Sequence, residues 1–281
     1  MEENQAELAG LLEEIENLLR DGLNIKANNL AYNLLPSYPD NIRLLQLYSL
    51  SLARLGVAPA AKKYIEKAYS LNDSDNETLG ILGRVYKDLY KETQVKDYAE
   101  KSRNIYLEGY NRSGEYYPGI NAATMSVVLG RMADAKAITD EIIASLEHRA
   151  KTYWELTTLG EVFLIQGDRG KAVKYYQAAL SVSENRIGDI NSSFHQLVFL
   201  KEYISVPDKL MELFSPPVIA AFSGHMIDRF DRERPRFPAT IVPQRKEKIQ
   251  EVIEKEDIKI GDCSAACGSD LLFIESMLER G

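Results

Sequence analysis

Small residues recur among apolar positions at a regular spacing over the first two-thirds of the chain. Sliding the sequence against itself in steps of about 34 residues aligns one such position, which is occupied by Ala27, Ala61, Ala135 and Ala172. A second aligned position is occupied by Ser49, Gly83, Ala123 and Gly160. Because one helix pair cannot bury its own apolar stripe, this recurrence predicts helix pairs that stack into a continuous core.

Short turns that carry glycine are expected to end the first helix of each pair. They fall at Gly22, Gly56, Gly130 and Gly167. The clearest pair runs from Tyr153 to Leu180, where an apolar stripe on the first helix faces an apolar stripe on the second. Between Asn76 and Tyr117 the period loosens. One side of the second helix in this stretch carries four residues spaced four apart, namely Tyr98, Ser102, Tyr106 and Tyr110. This row predicts core packing with tyrosine hydroxyls at the rim.

This spacing resembles that of tetratricopeptide (TPR) repeats. By resemblance, residues 1–206 form a mainly α, TPR-like α-solenoid that binds a protein or peptide partner through its concave surface. Self-association into a homo-oligomer is an alternative use of the same surface. The sequence identifies no catalytic residue in this region.

A narrower resemblance rests on the run Tyr117-Pro118-Gly119-Ile120-Asn121-Ala122-Ala123, together with His195-Gln196-Leu197 on the last helix of the array. These residues resemble the TRAFs-binding helical domain found in apoptosis signal-regulating kinases and in many bacterial TPR proteins. The resemblance covers roughly residues 5 to 205. It implies a regulatory or scaffolding role and leaves the partner open.

The pattern changes after residue 206. The apolar run Val218 to Phe222 predicts a buried strand, and it is followed by a helix at Gln244 to Glu256. A second strand at Ile258 to Ile260 and a helix from about Gly268 to Arg280 complete the order strand, helix, strand, helix. That order predicts a parallel α/β layer in residues 207–281.

Small residues follow both predicted strands. Ser223, Gly224 and His225 follow the first, and the loop from Ser264 to Asp270 follows the second. The carboxyl ends of neighbouring parallel strands meet at one edge, where backbone amides and a helix N-terminus can approach a phosphate. The expected ligand is a nucleotide or a nucleotide-derived molecule.

These loops resemble those of the SLOG superfamily of Rossmann-like sensors, with Ser264 and Ala265 at positions where the family has glycines. By resemblance, the ligand contacts are Ser223, Gly224, Ser264, Ala265, Gly268 and Asp270. Asp270 would hold the loop or a ribose hydroxyl, and His225 would contact phosphate or cap the turn. The chain ends at Gly281, where the family continues into a third strand, so the α/β segment is expected to be truncated.

Composition narrows the choice of partners. The formal net charge of -8 disfavours nucleic acid, whose binding depends on clustered Lys and Arg. The pattern shows neither a membrane-length apolar run nor a signal peptide, so a cytoplasmic protein without a membrane partner is expected. With Cys263 and Cys267 as its cysteines, the chain suits a reducing compartment.

Three sharper interpretations compete with ordinary structural ones. Cys263, Cys267 and His225 could be imagined as metal ligands, but they lack a fourth ligand and zinc-ribbon spacing. Cys267 is either a nucleophile or redox sensor or a small loop residue, and the latter is favoured. A basic cluster consists of Arg229, Arg232, Arg234 and Arg236. It could bind a phosphate or an acidic partner, but acidic residues interleave with it, so it is interpreted as a solvated loop.

The leading hypothesis is a non-enzymatic regulatory scaffold with a nucleotide-sensing-like C-terminal module. The first alternative is a nucleotide-processing enzyme of SLOG type. The second is a purely structural adaptor whose C-terminal piece caps the repeats.

Overall fold

The computed structural model of the chain describes residues 2–183, 186–229 and 231–280. Within these ranges it contains fourteen α-helices, one 3-10 helix and two strands. The chain divides into two compact units, Met1–Phe214 and Ser215–Gly281. The division lies eight residues beyond the boundary expected at residue 206, because a short helix after Pro207 packs with the repeats.

The first unit consists of helices that pair in order along the chain. The first helices of the pairs are α1 (Glu2–Arg20), α3 (Ile42–Arg54), α5 (Asn76–Thr93), α7 (Tyr116–Val128) and α9 (Tyr153–Gln166). Their second helices are α2 (Asn24–Leu34), α4 (Ala58–Leu71), α6 (Lys96–Ser113), α8 (Met132–Leu146) and α10 (Arg169–Ser181). Helix α11 (Ile187–Lys201) and the short α12 (Asp208–Phe214) follow.

Side-chain caps and left-handed residues set the helix ends. Thr152 and Glu155 form a reciprocal capping box at the start of α9, and Asn41 accepts from the Leu44 amide at the start of α3. The glycines expected in the turns, Gly22, Gly56, Gly130 and Gly167, all have positive φ. In the third pair this conformation falls on Gln94, with φ of 57°. Because Gln94 takes the place of a glycine in this turn, the sequence shows no turn glycine where the period loosens.

The recurring small residues lie at close approaches between the two helices of a pair. A Cβ on Gly160 would lie 2.6 Å from Cδ2 of Tyr176, and one on Gly83 would lie 2.9 Å from Cδ1 of Tyr106. Ala27, Ala61, Ala135 and Ala172 are fully buried. The predicted stacking of helix pairs is therefore confirmed, since first helices also contact each other from pair to pair, as in α1 with α3, α3 with α5 and α7 with α9.

The tyrosine row of the third pair is confirmed as core packing. Ser102 and Tyr106 on α6 are buried, while Tyr98 and Tyr110 pack against the core at its edge. The Tyr110 hydroxyl donates to Oε2 of Glu141 at 3.0 Å. Tyr110 thus buries its ring and keeps its hydroxyl at the rim, as expected. Tyr106 differs from the expectation, because its whole side chain is buried.

The second unit contains a parallel pair of strands and two longer helices in its described residues. Strands β1 (Val218–Phe222) and β2 (Ile258–Cys263) pair with Phe222 opposite Cys263. A 3-10 turn (Ala239–Ile241) leads into α13 (Val242–Lys255), and α14 (Ser269–Arg280) follows β2. The predicted parallel order is confirmed, although β2 runs three residues further than expected and shortens the following loop. The expected burial of β1 is wrong, because Val218 and Ile219 are 46% and 63% exposed.

A small core holds the second unit together. Phe222 stacks on Phe273 with ring centroids 4.7 Å apart, and Ile253 and Ile258 are buried beside them. The Arg280 guanidinium on α14 donates to the carbonyls of Ile253 and Ile258 at 2.7 and 3.0 Å. Helix α14 is thereby fastened to the end of α13 and the start of β2.

Candidate functional site

One row of side chains occupies equivalent positions on successive first helices of the repeats. Aligning the helices on Ser49, Gly83, Ala123 and Gly160 places Arg43, Glu77, Tyr117 and Trp154 in register. Arg43 bridges Glu16 of α1 at 2.8 Å and Glu77 of α5 at 3.5 Å, so this row faces the neighbouring first helices. In a TPR array such a row lies on the concave surface.

The aromatic end of the row is exposed. Tyr117 is 49% exposed, and Trp154, the chain's single tryptophan, is 43% exposed. Glu77 and Tyr117 also line a cleft of about 340 Å³ between α5, α6 and α7. An exposed tyrosine that lines a cleft, in register with an exposed tryptophan, has the character of an interaction surface.

A polar cluster lies between α5, α7, α9 and α11. Lys87 Nζ on α5 donates to Oδ1 of Asn121 at 3.0 Å and to Oε1 of Gln196 at 2.9 Å. The Gln196 amide nitrogen donates to Oε1 of Glu161 on α9 at 2.8 Å. The Thr124 hydroxyl on α7 donates to the same Glu161 oxygen. One carboxamide from α11 therefore connects a lysine and a glutamate of the repeats.

Burial changes the acidity of both charged members of this cluster. It lowers the pKa of Lys87 to about 8, although the charge of Glu161 acts in the opposite direction. Burial also raises the pKa of Glu161, against the hydrogen bonds from Thr124 and Gln196 and the charge of Lys87. The two groups are thus held in an environment that disfavours charge on each.

Helix α11 adds apolar and hydroxyl contacts to the same face. Leu197, Phe199 and Leu200 are buried, and the Phe199 ring centroid lies 5.1 Å from Lys91 Nζ. At the far end of the helix, the hydroxyls of Tyr203 and Tyr90 are 3.0 Å apart.

The start of α11 is held by α9. The Tyr153 hydroxyl lies 2.8 Å from the Ser193 hydroxyl and donates to the Asp189 carbonyl at 3.2 Å. Together with the Tyr90 contact, this shows that α11 runs from α9 back to α5. It crosses the face formed by the first helices of the pairs, which we call the first-helix face.

The sequence-predicted ligand residues lie in two loops that the second unit brings together. Ser223, Gly224 and His225 follow β1, while Ser264 and Ala265 follow β2. The Ser269 amide and hydroxyl donate to the His225 carbonyl at 3.0 and 3.1 Å, which joins the loops. The side chains of Ser223, His225, Ser264 and Ala265 are exposed at this edge.

Asp270 holds the two loops through its carboxylate. It accepts from the Gly224 amide at 2.9 Å, from the Ala266 amide at 3.3 Å and from the Ser264 hydroxyl. The hydrogen bond from Ser264 is the main cause that lowers the pKa of Asp270, followed by the two amides, and they outweigh its burial. Two amides that a phosphate could use are therefore already bound to an internal carboxylate.

Two glycines allow the loops to approach each other. A Cβ on Gly224 would lie 2.3 Å from Cβ of Ser269, and one on Gly268 would lie 2.5 Å from the His225 carbonyl oxygen. Gly268 also has φ of +115°, which side chains rarely adopt. Both glycines are thus required by loop packing itself.

The cysteines and histidines do not form a metal-binding group within the described residues, where no cluster of three or more His, Cys, Asp or Glu side chains could hold an ion. Cys263 is partly buried, with its Sγ 3.9 Å from the Asp270 carbonyl, and Cys267 is exposed. His148 and His195 are exposed. Every helix in the described ranges is too short or too polar to cross a bilayer.

Sequence reasoning missed Asp228, which organises the arginine-rich segment. Its carboxylate accepts from the amides of Arg236 and Phe237 at 2.6 Å each and pairs with Arg232 at 2.8 Å. Burial alone would raise the pKa of Asp228, but the two amides and the Arg232 charge lower it. The arginines therefore belong to a loop folded around one aspartate.

Sequence reasoning also passed over Lys87 and Glu161. Glu161 could have been noticed, because it is a charged residue in the middle of an otherwise apolar stretch of α9. Lys87 carries no such signal, since α5 contains several charged residues.

Comparisons with known proteins agree with the repeat fold. A family model described as Tetratricopeptide Repeats-Sensor matches residues 11–126. The structure of TTC0263, a thermophilic TPR protein of Thermus thermophilus, shares 17% identity over 68% of this chain and 98% of that chain, with a TM-score of 0.56. No curated protein is significantly similar to the chain.

A second solved structure is that of the APC/C hetero-tetramer Cut9-Hcn1. The likeness extends over 94% of this chain and 45% of that chain at 13% identity, with a TM-score of 0.51. At these identities the likeness concerns the fold. The protein is thus mainly helical and built on repeats of TPR type.

Proposed function

We propose that the protein is a non-enzymatic regulatory scaffold whose repeats bind a protein partner. The observation that carries the proposal is the row of Arg43, Glu77, Tyr117 and Trp154 on the first-helix face. Arginine, tyrosine and tryptophan are the residues that most often dominate the free energy of protein association. The cleft lined by Glu77 and Tyr117 offers a place for one anchoring side chain of the partner.

Affinity capture from the source organism tests this proposal. The bait proteins are the wild type, the double variant Tyr117→Ala/Trp154→Ala and the control Tyr32→Ala, whose side chain is 59% exposed on the second helix α2. We expect a partner held by the wild type and by the control to bind the double variant at least about tenfold more weakly. Equal capture by all three folded baits would contradict the proposal.

The finer assignment to the TRAFs-binding type also belongs to this proposal. It is supported by the run from Tyr117 to Ala123, which lies on α7 and is buried from Pro118 onward, and by Gln196 on α11, which donates to Glu161. A partner that contacts α7 would agree with the assignment.

A nucleotide-derived ligand in the second unit is the second candidate function. It is supported by the meeting of the two loops beside the start of α14, with the side chains of Ser223, His225, Ser264 and Ala265 exposed. Because Asp270 occupies the amides of Gly224 and Ala266, the ligand would be held mainly by those exposed side chains. The unit would then act as a sensor of SLOG-like, Rossmannoid type.

Calorimetric titration of the full chain with nucleotides and ADP-ribose derivatives tests this candidate. We expect saturable heat with at least one compound, weakened by His225→Ala and unchanged by His148→Ala, an exposed histidine of the repeats. Absence of heat across the panel would remove the nucleotide ligand and leave the structural-adaptor alternative. Turnover of any compound would favour the enzymatic alternative.

The location belongs to the same proposal. Two free thiols suit a reducing compartment, and this supports a cytoplasmic protein.

A further inference from the structure

Helix α11 departs from the contact pattern of a helical array. In a solenoid each repeat contacts only its neighbours. Here Gln196 bonds to Lys87, 109 residues away, and Tyr203 meets Tyr90, 113 residues away. These contacts reach back from the helix after the fifth pair to the first helix of the third pair. Helix α11 therefore covers the part of the first-helix face that carries Lys87, Thr124 and Glu161, and it does not extend the stack.

The contacting residues of α11 follow the spacing of a helix bound in a groove. Ser193, Gln196, Leu197 and Leu200 stand at i, i+3, i+4 and i+7 and lie on one side of the helix. The side chains of Leu197 and Leu200 are fully buried. Val198, between two buried neighbours, is 39% exposed and marks the opposite side. This is the pattern of anchors used when an amphipathic helix binds a protein groove.

The floor of the groove is polar. The carboxamide of Gln196 accepts from Lys87 and donates to Glu161. Asn121 accepts from the same lysine, and Thr124 donates to the same glutamate. A permanently covered interface would be at least as stable with apolar residues at such positions, because burying charges is costly. Charged and polar groups become hydrated when a groove opens, so this floor suits a surface that is alternately covered and exposed.

We propose that the face of α5, α7 and α9 is a helix-binding groove and that α11 is its exchangeable internal occupant. The partner it fits is an amphipathic helix that presents a carboxamide side chain, followed by apolar residues at the first, third and fourth positions after it. This is the spacing of Gln196, Leu197, Phe199 and Leu200. The inference rests on the proposed scaffold function and names the class of partner and the way in which access is controlled.

The test uses the full chain and a synthetic peptide of residues 187–203 with a fluorescent label. In the wild type the internal helix competes with the peptide. Phe199→Asp weakens the internal helix, so we expect this chain to bind the peptide at least tenfold more tightly than the wild type. The control Val198→Asp alters the exposed side of α11 and should bind the peptide as the wild type does. A peptide that itself carries Phe199→Asp should bind none of the chains.

Equal affinity of the wild type and a folded Phe199→Asp chain for the peptide would overturn the proposal. Amide hydrogen exchange of the wild type covers the case in which that variant does not fold. We expect the amides of α11 to exchange at least tenfold faster than those of α9, and equal protection would overturn the proposal.

Light scattering of the wild type mixed with the Phe199→Asp chain identifies the occupant. The proposal expects two monomers, whereas a heterodimer would mean that the occupant is α11 of a second copy and would exclude a separate partner. None of these measurements uses the captured partner. If Tyr117→Ala/Trp154→Ala captured the partner as well as the wild type does, the scaffold function would be contradicted. The exchange of α11 would still be decided by the peptide measurements.

Discussion

Lys87 on α5 donates a hydrogen bond of 2.9 Å to Gln196 on α11, although 109 residues separate them. The same carboxamide donates to Glu161 on α9. Gln196 thereby supplies both an acceptor for a buried ammonium group and a donor for a buried carboxylate. The contact fastens α11 to the repeats through groups that would otherwise lack one of their partners.

Removing the carboxamide should destabilise the repeat unit. Gln196→Ala leaves Lys87 and Glu161 each without one hydrogen-bond partner, and an unpaired buried polar group costs about 1–3 kcal/mol. We expect urea unfolding, followed by circular dichroism, to show a loss of about 2 kcal/mol in the free energy of unfolding. Val198→Ala on the exposed side of α11 should change it by less than about 0.5 kcal/mol. Equal effects of the two substitutions would contradict the role of Gln196.

The acidity of Lys87 predicts a pH dependence of stability. Burial lowers its pKa in the folded protein to about 8, from the ordinary value of 10.5. Between these values the unfolded chain binds more protons, so the contribution of Lys87 to the free energy of unfolding rises with pH. Below about pH 8 the lysine is protonated in both states, and its effect is constant.

The comparison of Glu161→Gln with the double variant Glu161→Gln/Lys87→Met isolates this contribution. Both chains carry Glu161→Gln, so that the neighbouring carboxylate does not titrate. We expect the free energy of unfolding of the chain with Lys87, relative to the chain with Met, to increase from about pH 8 to about pH 10. A difference that stays constant over this range would show that the pKa of Lys87 is not lowered.

The repeat fold could be predicted because its determinants are local. Gly160 and Tyr176 meet within one helix pair, and a small residue facing a large one at fixed spacing is visible in the sequence. The glycine turns are equally local, since a left-handed backbone favours glycine. Where Gln94 takes that conformation, the signal disappears although the turn remains.

The position of α11 could not be predicted in the same way. Leu197, Phe199 and Leu200 form an ordinary apolar stripe, which predicts a helix but not the surface it covers. That surface is decided by distant partners. Lys87 lies 109 residues from its contact Gln196, and Tyr90 lies 113 residues from its contact Tyr203. Likewise, the spacing of the two loops suggested a ligand, whereas the structure shows that Asp270 binds the loop amides itself.

Filling the close approach at Gly160 should destabilise the fifth helix pair. An added Cβ would lie 2.6 Å from Cδ2 of the buried Tyr176. Overpacking of this kind costs about 1–3 kcal/mol, which exceeds the gain in helix propensity of about 1 kcal/mol. We expect Gly160→Ala to lower the thermal midpoint of unfolding. Gly10→Ala, on α1 with nothing within 4 Å of the added atom, should keep or raise it. A rise in both variants would contradict the close approach.

Asp270 should make the second unit sensitive to acid. Hydrogen bonds from Ser264 and from the amides of Gly224 and Ala266 lower its pKa below the ordinary value of 3.8. Its stabilising contribution is therefore complete above that value and is lost as the pH falls through the lower, folded-state pKa. Asp270→Asn replaces a charged acceptor of three hydrogen bonds with a neutral one, so it should destabilise the unit at neutral pH.

Hydrogen exchange of β1, β2 and α14 measures this effect without contribution from the repeats. The wild-type unit should lose protection on acidification below about pH 4, whereas Asp270→Asn should be less protected at neutral pH and show a weaker acid dependence. Asp262→Asn, an exposed residue of β2, is the matched control and should behave as the wild type does. If Asp270→Asn kept full protection at neutral pH, the loops would be held by the His225 and Ser269 contacts alone.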